Sequence, residues 1–240
     1  MSKRIYIIAR YNENLDWVEN INGDILIINK GTSLTLPYET IETENYGREA
    51  ESYIKGIVHL FETDRINNYD EFVFLQGNPT EHSSFLSEKL KFIDPAPFTI
   101  MSDTWTRHSI PNSDQIFGTN KLIIQLFVNR IHENLNLTEI DIDSLKLKFQ
   151  CQDGAIVDMG REIEETILFG RILGLPTNLV EWKWSNGAQY LVKKSCIVNK
   201  SFEWWKELHK LVMYVAKDLK SDRIAYVFER LWPFIWIHKY

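Results

Sequence analysis

Ile5-Tyr-Ile-Ile-Ala-Arg-Tyr-Asn-Glu13 joins an apolar run directly to a polar segment. Its β-branched and aromatic residues do not alternate with polar ones, which predicts a strand covered on both faces of a sheet. The polar half, from Arg10 to Glu13, then follows the carboxyl end of that strand. Ligands of open α/β sheets bind at this edge. The stretch therefore predicts a ligand site built on the first strand.

Two later segments repeat this pattern of a buried strand followed by polar residues and glycine. They are Asp24 to Gly31 and Glu71 to Gly77, and Pro79 prevents the latter strand from continuing. The stretch from Pro37 to Glu44 is expected to be a loop. Consecutive strands of this kind indicate parallel pairing in an α/β domain.

A helix is predicted between the second and third of these strands. Its apolar residues recur at helical spacing and form one continuous face. They are Ala50, Tyr53, Ile54, Ile57, Val58 and Phe61. Asn45 is placed to cap the start of the helix. The order β-β-α-β is that of the first half of a nucleotide-binding α/β domain.

Beyond residue 80 the pattern is weaker, and a single domain over 1–240 is the simpler interpretation. It would divide into a nucleotide-binding half (1–80) and an acceptor half with C-terminal helices (81–240). Helices are expected at 84–92, 121–135, 161–173, 202–219 and 223–236. Strands are expected at 98–101 and 145–151, and a further strand is expected after Gln189, ending at Val192. Residues 103–108 are expected to form an aromatic, polar loop.

Composition excludes several classes of protein. A net charge of −6 and a pI near 5.6 argue against a nucleic-acid binder that relies on a basic surface. Cys151 and Cys196 match no metal spacing and are expected to be reduced thiols. The first strand starts almost at Met1, which leaves no room for a signal peptide, and no apolar run reaches the roughly 18–20 residues of a membrane span. We therefore expect a soluble, cytoplasmic protein without a transmembrane segment.

Common catalytic motifs are absent from the sequence. No GxGxxG follows the first strand, and there is no GxxxxGK[ST], HExxH or GxSxG. The six histidines show no metal-ligand spacing, and His82 and His108 are the best placed for a catalytic role. These absences argue against Rossmann dehydrogenases, P-loop enzymes, zinc proteases and α/β-hydrolases.

With the common motifs absent, four polar segments remain as candidates for a ligand site, and all are expected at one edge of the sheet. They are Arg10 to Glu13, Asn29 to Gly31, Gly47 to Glu49 and Gln76 to Asn78. A helix N-terminus beside Arg10, Lys30 and Arg48 would suit a diphosphate. Local turns and surface ion pairs are the alternative explanation for each residue taken singly.

The order of these motifs resembles a large, poorly characterised glycosyltransferase-like family. The matching stretches are 9–13, 29–31, 45–50, 74–79, 187–190 and 228–232. The chain is similar as well to the glycosyltransferase domains that giant algal viruses use to decorate capsid protein. A viral member would act in the host cytoplasm. The resemblance touches both ends of the chain and is weak between residues 80 and 175.

The resemblance implies a GT-A-like fold, in which one α/β domain with a mixed, mainly parallel sheet binds a nucleoside-diphosphate sugar. The family's acidic, metal-binding Asp-x-Asp element would lie where this chain has Gln76-Gly77-Asn78. Amides supply oxygen ligands without charge, whereas Mg²⁺ and Mn²⁺ prefer carboxylates. Either a divalent metal is held weakly, with Asn78 and others such as Asp103, or Arg10, Lys30 and Arg48 neutralise the diphosphate.

The resemblance also assigns site residues. The nucleotide-sugar site would comprise Ala9, Arg10, Tyr11, Asn12, Glu13, Asn29, Lys30, Gly47, Arg48, Gln76, Gly77, Asn78, Gly187, Ala188 and Gln189. Gly187, Ala188 and Gln189 would form the floor of the pocket that holds the sugar and the acceptor. Trp105, His108 and Trp184 are candidates for acceptor binding, and core packing is the alternative role of the tryptophans.

The catalytic base is predicted among the carboxylates. Glu229 lies in an otherwise apolar helix, so it is either a buried structural partner of an arginine or a base activated by desolvation. Asp158 is the second candidate, and Glu181 and Glu203 remain open.

The sequence as a whole predicts a glycosyltransferase that moves a hexose or deoxyhexose to a glycan or glycoprotein acceptor. Two alternatives remain. One is a sugar-phosphate nucleotidyltransferase, although its glycine-rich loop is absent after the first strand. The other is a non-catalytic module that binds nucleotide sugars or glycans.

Overall fold

The computed structural model describes residues 2–91, 96–103, 105–109, 165–166, 169–170, 172–175 and 181–237, with side chains for all but 105–109 and 181–185. The strands are β1 (Arg4–Arg10), β2 (Asp24–Asn29), β3 (Glu39–Glu42), β4 (Glu71–Gln76), β5 (Phe98–Ile100), β6 (Trp105–Ser109), β7 (Glu181–Ser185) and β8 (Tyr190–Lys193). The helices with defined bounds are α1 (Arg48–Glu62), α2 (Leu86–Lys89), α3 (Lys194–Val198), α4 (Phe202–Met213) and α5 (Arg223–Ile237). The predicted helix at 121–135 and strand at 145–151 lie outside the described residues.

A mixed sheet with the order β3-β2-β1-β4-β8-β5 forms the centre of the described structure. β1 is parallel to β2 and β4, and β2 is parallel to β3. β8 runs antiparallel to β4 and to β5. The expected α/β class with a mixed, mainly parallel sheet is therefore confirmed.

Two segments that we expected to be loops are strands. β3 pairs in parallel with β2, and its residues Glu-Thr-Ile-Glu are half-buried or exposed because it is an edge strand. β6 occupies much of the expected loop at 103–108 and pairs with β7, so that Thr106 lies opposite Trp184. Neither prediction was correct, because an edge strand lacks an apolar run and β6 depends on a partner more than 70 residues away.

The start of α1 also differs from the expectation. The residue that precedes it is Gly47, in the left-handed conformation with φ 65°, and no side chain caps the helix. Arg48 has φ 46° as well. Asn45 is therefore not the N-cap, and the turn that leads into α1 is set by two consecutive left-handed residues.

Both faces of the sheet are covered. On one face, Ile7, Phe74 and Tyr190 pack with the apolar faces of α1, α4 and α5. On the other face, Ile8 and Leu75 pack with a smaller cluster that includes the short helical turn at 16–20. The non-alternating apolar sequence of β1 follows from this double burial.

An aromatic stack fixes α5 against the sheet. The rings of Trp232 and Trp236 are parallel, with centroids 4.7 Å apart, and Trp236 stacks on Phe74 of β4 at 5.2 Å. Tyr53 of α1 contacts both Phe74 and Trp232. This stack holds the helix that carries Glu229 beside the N-terminal half of α1. In the part of the chain that the structure describes, no helix could cross a membrane.

A buried carboxylate joins three strands near their ends. Glu71 of β4 is 1% exposed, accepts a hydrogen bond from Arg4 Nε at 2.5 Å, and pairs with Lys193 Nζ. Burial alone would raise the pKa of Glu71, but the hydrogen bonds from Lys193 and Arg4 outweigh burial and lower it. The carboxylate therefore stays ionised and stabilises β1, β4 and β8 as one unit.

We expect Glu71→Gln to lower the free energy of unfolding at pH 7 by about 2 kcal/mol, because the half-buried cations Arg4 and Lys193 lose their counter-charge. Glu203→Gln, which alters an exposed pair on α4, is the control and should change it by less than about 0.5 kcal/mol. Urea denaturation measures both. The contribution of Glu71 is complete above the ordinary glutamate value of 4.5 and is lost as the pH falls through the lower folded-state pKa. Equal losses in the two variants would contradict this role.

Candidate active site

A cavity of about 390 Å³ lies at the carboxyl ends of β1, β2 and β4. Its volume is in the usual range for small-ligand sites. Its walls come from these strand ends, from the first turns of α1 and from the loop after β4. The lining residues are Ala9, Arg10, Tyr11, Glu13, Lys30, Asn45, Arg48, Glu49, Ser52, Gln76, Asn78 and Glu81.

The topology of the sheet explains why the cavity forms here. After β1 the chain moves to β2 on one side, whereas after β4 it moves towards β5 on the other. The connections after these two neighbouring strands therefore diverge and leave a crevice between them, and such switch points are where open α/β sheets bind ligands. The cavity occupies this crevice.

The structure brings together much of the site predicted from sequence. Eight of the predicted nucleotide-sugar residues line the cavity, namely Ala9, Arg10, Tyr11, Glu13, Lys30, Arg48, Gln76 and Asn78. Asn12, Asn29, Gly47 and Gly77 support its walls from neighbouring positions. Gly187, Ala188 and Gln189 are not among the lining residues.

Arg10 holds the loops after β1 and β2 together. Its Nη1 donates to Asn29 Oδ1 at 2.6 Å and to the carbonyl of Thr32 at 2.9 Å, and its Nε donates to the carbonyl of Glu13 at 2.9 Å. Nη2 makes no hydrogen bond with the described residues, so one guanidinium nitrogen remains for a ligand. Arg10 therefore has a structural role as well as a place in the cavity wall.

The backbones of the loops after β1 and β2 approach each other closely at Gly31. A Cβ at this position would lie 1.5 Å from the carbonyl oxygen of Tyr11, so only glycine fits. The side-chain oxygen of Asn12 accepts a hydrogen bond from the Thr32 backbone N–H at 3.0 Å. The loop after β4 is fixed in a similar way, since Trp17 Nε1 donates to the carbonyl of Gly77 at 2.9 Å.

Lys30 ties the end of β2 to the start of α1. Its Nζ lies 2.7 Å from Glu51 Oε2, and it donates to the carbonyls of Arg48, at 2.8 Å, and of Tyr46. Glu51 also contacts His209 of α4, with 2.7 Å between Oε1 and Nε2. Although burial opposes ionisation, these partners lower the pKa of Glu51. Most of the hydrogen-bonding capacity of Lys30 is thus used inside the protein.

Arg48 is the most exposed of the three cations in the cavity wall. Its guanidinium lies over the ring of Tyr226, 5.5 Å from the centroid, and its Nη1 donates to the Tyr226 hydroxyl at 3.3 Å. The adjoining N-terminal turn of α1 presents backbone N–H groups that the helix does not use. Arg48 and this turn form the part of the cavity best suited to an anion.

Glu229 lies behind the cavity rather than in its wall. Its Oε1 accepts a hydrogen bond from the Gly187 backbone N–H at 2.5 Å, and its own carbonyl lies 3.4 Å from the Tyr190 hydroxyl. The Gln189 side chain is fully buried and donates from Nε2 to the carbonyl of Pro79 at 3.0 Å. The 187–189 segment therefore connects α5 with the loop after β4.

Glu49 is a functional candidate that the sequence interpretation did not single out. It lines the cavity from the first turn of α1 and is half-buried. Desolvation, together with repulsion from Glu229, raises the pKa of the Glu49 carboxyl above its usual value. The influence of Glu229 on Glu49 depends on the packing of α5 against α1, which no local sequence signal reveals.

The other predicted residues cannot be placed as completely. Asp158 lies outside the described residues. Trp105 and His108 are in β6 and Trp184 is in β7, and these two strands pair with each other. Glu181 is in β7 as well. The Glu203 side chain is 69% exposed on α4 and pairs with Lys206. The His82 ring packs beside Gly187.

The oxygen donors of the cavity decide how a divalent cation could bind. Among the described residues there is no group of three histidine, cysteine or acidic side chains that could hold a metal. Asn78 and Glu81 nevertheless line the cavity after β4. Mg²⁺ is commonly bound by one or two protein oxygens together with substrate phosphates. The donor set therefore fits a cation that arrives with a diphosphate better than one held by the protein alone.

A larger cavity of about 940 Å³ extends from the amino ends of β1 and β2 along α2 to Pro79 and Thr80 of the loop after β4. Its surface is mainly apolar. It lacks both the switch point and the N-terminal turn of α1. We therefore take the cavity at the carboxyl edge as the candidate site.

Comparison with protein-family models, with curated proteins and with solved structures found no match for this chain.

We expect Lys30→Met to lower the free energy of unfolding by about 3–5 kcal/mol, because the buried Glu51 then loses its ammonium partner and keeps only His209. Lys3→Met is the control, since Lys3 pairs with Asp24 at the surface and should contribute less than about 1 kcal/mol. Chemical denaturation measures both. The double variant Lys30→Met/Glu51→Leu should recover part of the loss. If Lys30→Met were no more destabilising than Lys3→Met, the buried pair would not hold α1 in place.

Proposed function

We propose that this protein binds a nucleoside-diphosphate sugar in the cavity at the carboxyl edge of the sheet and transfers the sugar to a glycan or glycoprotein acceptor. The fold would then be of the GT-A type. The observation that carries the proposal is the position of the cavity, at the switch point between β1 and β4 and beside the N-terminal turn of α1. The motif resemblance, which follows these same strand ends, supports it.

The polar groups of the cavity suit such a donor. Arg48, Arg10 Nη2 and the backbone N–H groups of α1 would bind the diphosphate and stabilise the charge that develops on the leaving group. Tyr11 is 50% exposed in the cavity wall and offers an aromatic face to a nucleobase or sugar. A divalent cation on the diphosphate would neutralise charge, with Asn78 and Glu81 as its protein ligands.

The acceptor would approach from the side of the β6–β7 ribbon, which carries Trp105, His108 and Trp184. A cavity carboxylate would accept the proton of the acceptor hydroxyl as its oxygen bonds to the anomeric carbon. The bond from that carbon to the diphosphate breaks at the same time, and the diphosphate leaves with the electron pair.

A non-catalytic module for nucleotide sugars is the second candidate. It is favoured by the amides at Gln76 and Asn78, where the family carries acidic residues, and by the internal pairing of Lys30. Calorimetry with UDP-, GDP- and TDP-sugars, with and without Mn²⁺, followed by a donor hydrolysis assay, separates the two. We expect binding that Mn²⁺ strengthens, and slow hydrolysis. Binding without turnover would favour the module, and binding of no donor would exclude both.

Arg48→Gln should weaken binding of the preferred nucleoside diphosphate by roughly tenfold, because a charge-assisted hydrogen bond to phosphate contributes about 1.5 kcal/mol or more. Lys206→Gln removes the same charge from the exposed face of α4 and should leave the dissociation constant unchanged within about twofold. Calorimetry at one salt concentration measures both. Equal affinities for the two variants would show that Arg48 does not contact the diphosphate.

A further inference from the structure

The loop after β1 places a carboxyl group directly against the end of β4. Glu13 lines the cavity together with Gln76 and Asn78, which flank Gly77. A Cβ added at Gly77 would lie 2.6 Å from Glu13 Oε2 and 2.9 Å from Glu13 Cδ. The Glu13 carboxyl group therefore occupies the space that a side chain at position 77 would take in any residue other than glycine.

The two oxygens of this carboxyl group have different surroundings. Oε2 accepts a hydrogen bond from the Tyr11 backbone N–H at 2.7 Å, which fixes the direction of the carboxyl group. Oε1 accepts no hydrogen bond from the residues that the structure describes. Since Glu13 is half-buried in the cavity wall, one charged oxygen is left for a ligand.

The end of β4 by itself is a weak site for a cation. Gln76 and Asn78 contribute amide oxygens without charge, and Asn78 Oδ1 already accepts a hydrogen bond from the Thr80 hydroxyl at 3.0 Å. Mg²⁺ and Mn²⁺ prefer carboxylate oxygens, and Mg²⁺ is usually held by one or two of them together with substrate phosphates. A single carboxylate placed against this strand end would supply what the amides lack.

Glu13 fits this role better than the other two carboxylates of the cavity wall. Glu49 is in the first turn of α1, the part of the wall that would hold the diphosphate itself. Glu81 is exposed at the end of the short turn Pro79–Glu81. Glu13 is fixed by a hydrogen bond and contacts the end of β4, so Glu81 is at most a second ligand.

We propose that Glu13 is the carboxylate that holds the divalent cation of the donor diphosphate, in place of an acidic residue in the loop after β4. This inference rests on the proposed function, because the cation is the one that accompanies the nucleoside-diphosphate sugar. Glu13 Oε1 supplies the negative charge, and Asn78 and Glu81 supply further oxygens. Gly77 is required because a larger residue would displace the carboxyl group.

The first test is calorimetry with UDP, GDP and TDP, each with Mn²⁺ and with EDTA. Mn²⁺ should tighten binding of the preferred diphosphate to the wild type at least about fivefold, a typical coupling between two ligands. Glu13→Gln keeps an acceptor for the Tyr11 N–H. It should match the wild type within about twofold in EDTA and lose most of the gain from Mn²⁺. Glu19→Gln, which alters an exposed carboxylate on the turn at 16–20, should behave as the wild type.

Two results for Glu13→Gln would overturn the proposal. One is an undiminished gain from Mn²⁺. The other is an equal loss of affinity with Mn²⁺ and with EDTA, which would show that Glu13 contacts the nucleoside diphosphate itself rather than a cation.

A second variant moves the carboxyl group without removing its charge. In Gly77→Ala the added methyl group would displace the Glu13 carboxyl group, so the gain from Mn²⁺ should fall as it does in Glu13→Gln. Urea denaturation establishes that this variant is folded, and Glu13→Gln decides the proposal if it is not. A folded Gly77→Ala with the full gain from Mn²⁺ would overturn the role of this contact.

Inorganic pyrophosphate separates the inference from the proposed function, because it carries the phosphates without a nucleoside or a sugar. If no nucleoside diphosphate binds but pyrophosphate binds with Mn²⁺ in a manner that depends on Glu13, the glycosyl-transfer function fails and the cation site stands. If a nucleoside diphosphate binds the wild type equally well with Mn²⁺ and with EDTA, the proposed function stands and the role of Glu13 fails.

Discussion

The buried ion pair between Lys30 and Glu51 is the interaction on which the candidate site depends. A strand that ends at a sheet edge and a helix that begins there do not by themselves fix their relative position. Lys30 does so by binding Glu51 and two carbonyls of the turn before and at the start of α1. That turn contains Gly47 and Arg48, both left-handed, and such conformations persist only where the surrounding contacts enforce them.

Once the start of α1 is fixed, the positions of three cavity residues follow. Glu49 and Ser52 enter the wall, and Arg48 reaches Tyr226 at its rim. The opposite wall is fixed by Arg10, which joins the loops after β1 and β2 through Asn29 and Thr32. Two buried cations thus shape the cavity mainly through their internal contacts.

The sequence predicted the strands and the helix that carry the site, because each of them has a complete local signal. Ile5 to Ala9 is apolar without alternation, and the buried face of α1 repeats at helical spacing. Two strands that lack a complete local signal were missed. β3 is a polar edge strand, and β6 needs β7 as its partner.

The candidate site, like the fold, was predicted only in part from the sequence. The convergence of Arg10, Lys30 and Gln76 follows from parallel strand order, which the sequence indicates. Glu49 belongs to the predicted polar segment from Gly47 to Glu49, but the local sequence could not show that Glu229, on a helix about 180 residues away, acts on its carboxyl group. Lys30 was expected to bind a phosphate, and the local sequence could not show that Glu51 lies beside its ammonium group.

These internal pairings determine what the cavity can bind. Three cations and the acidic side chains of Glu13, Glu49 and Glu81 line it, so its charges nearly cancel, and Arg10 and Lys30 already use most of their donors inside the protein. A diphosphate would therefore depend on Arg48, on backbone N–H groups and on a cation that it brings with it.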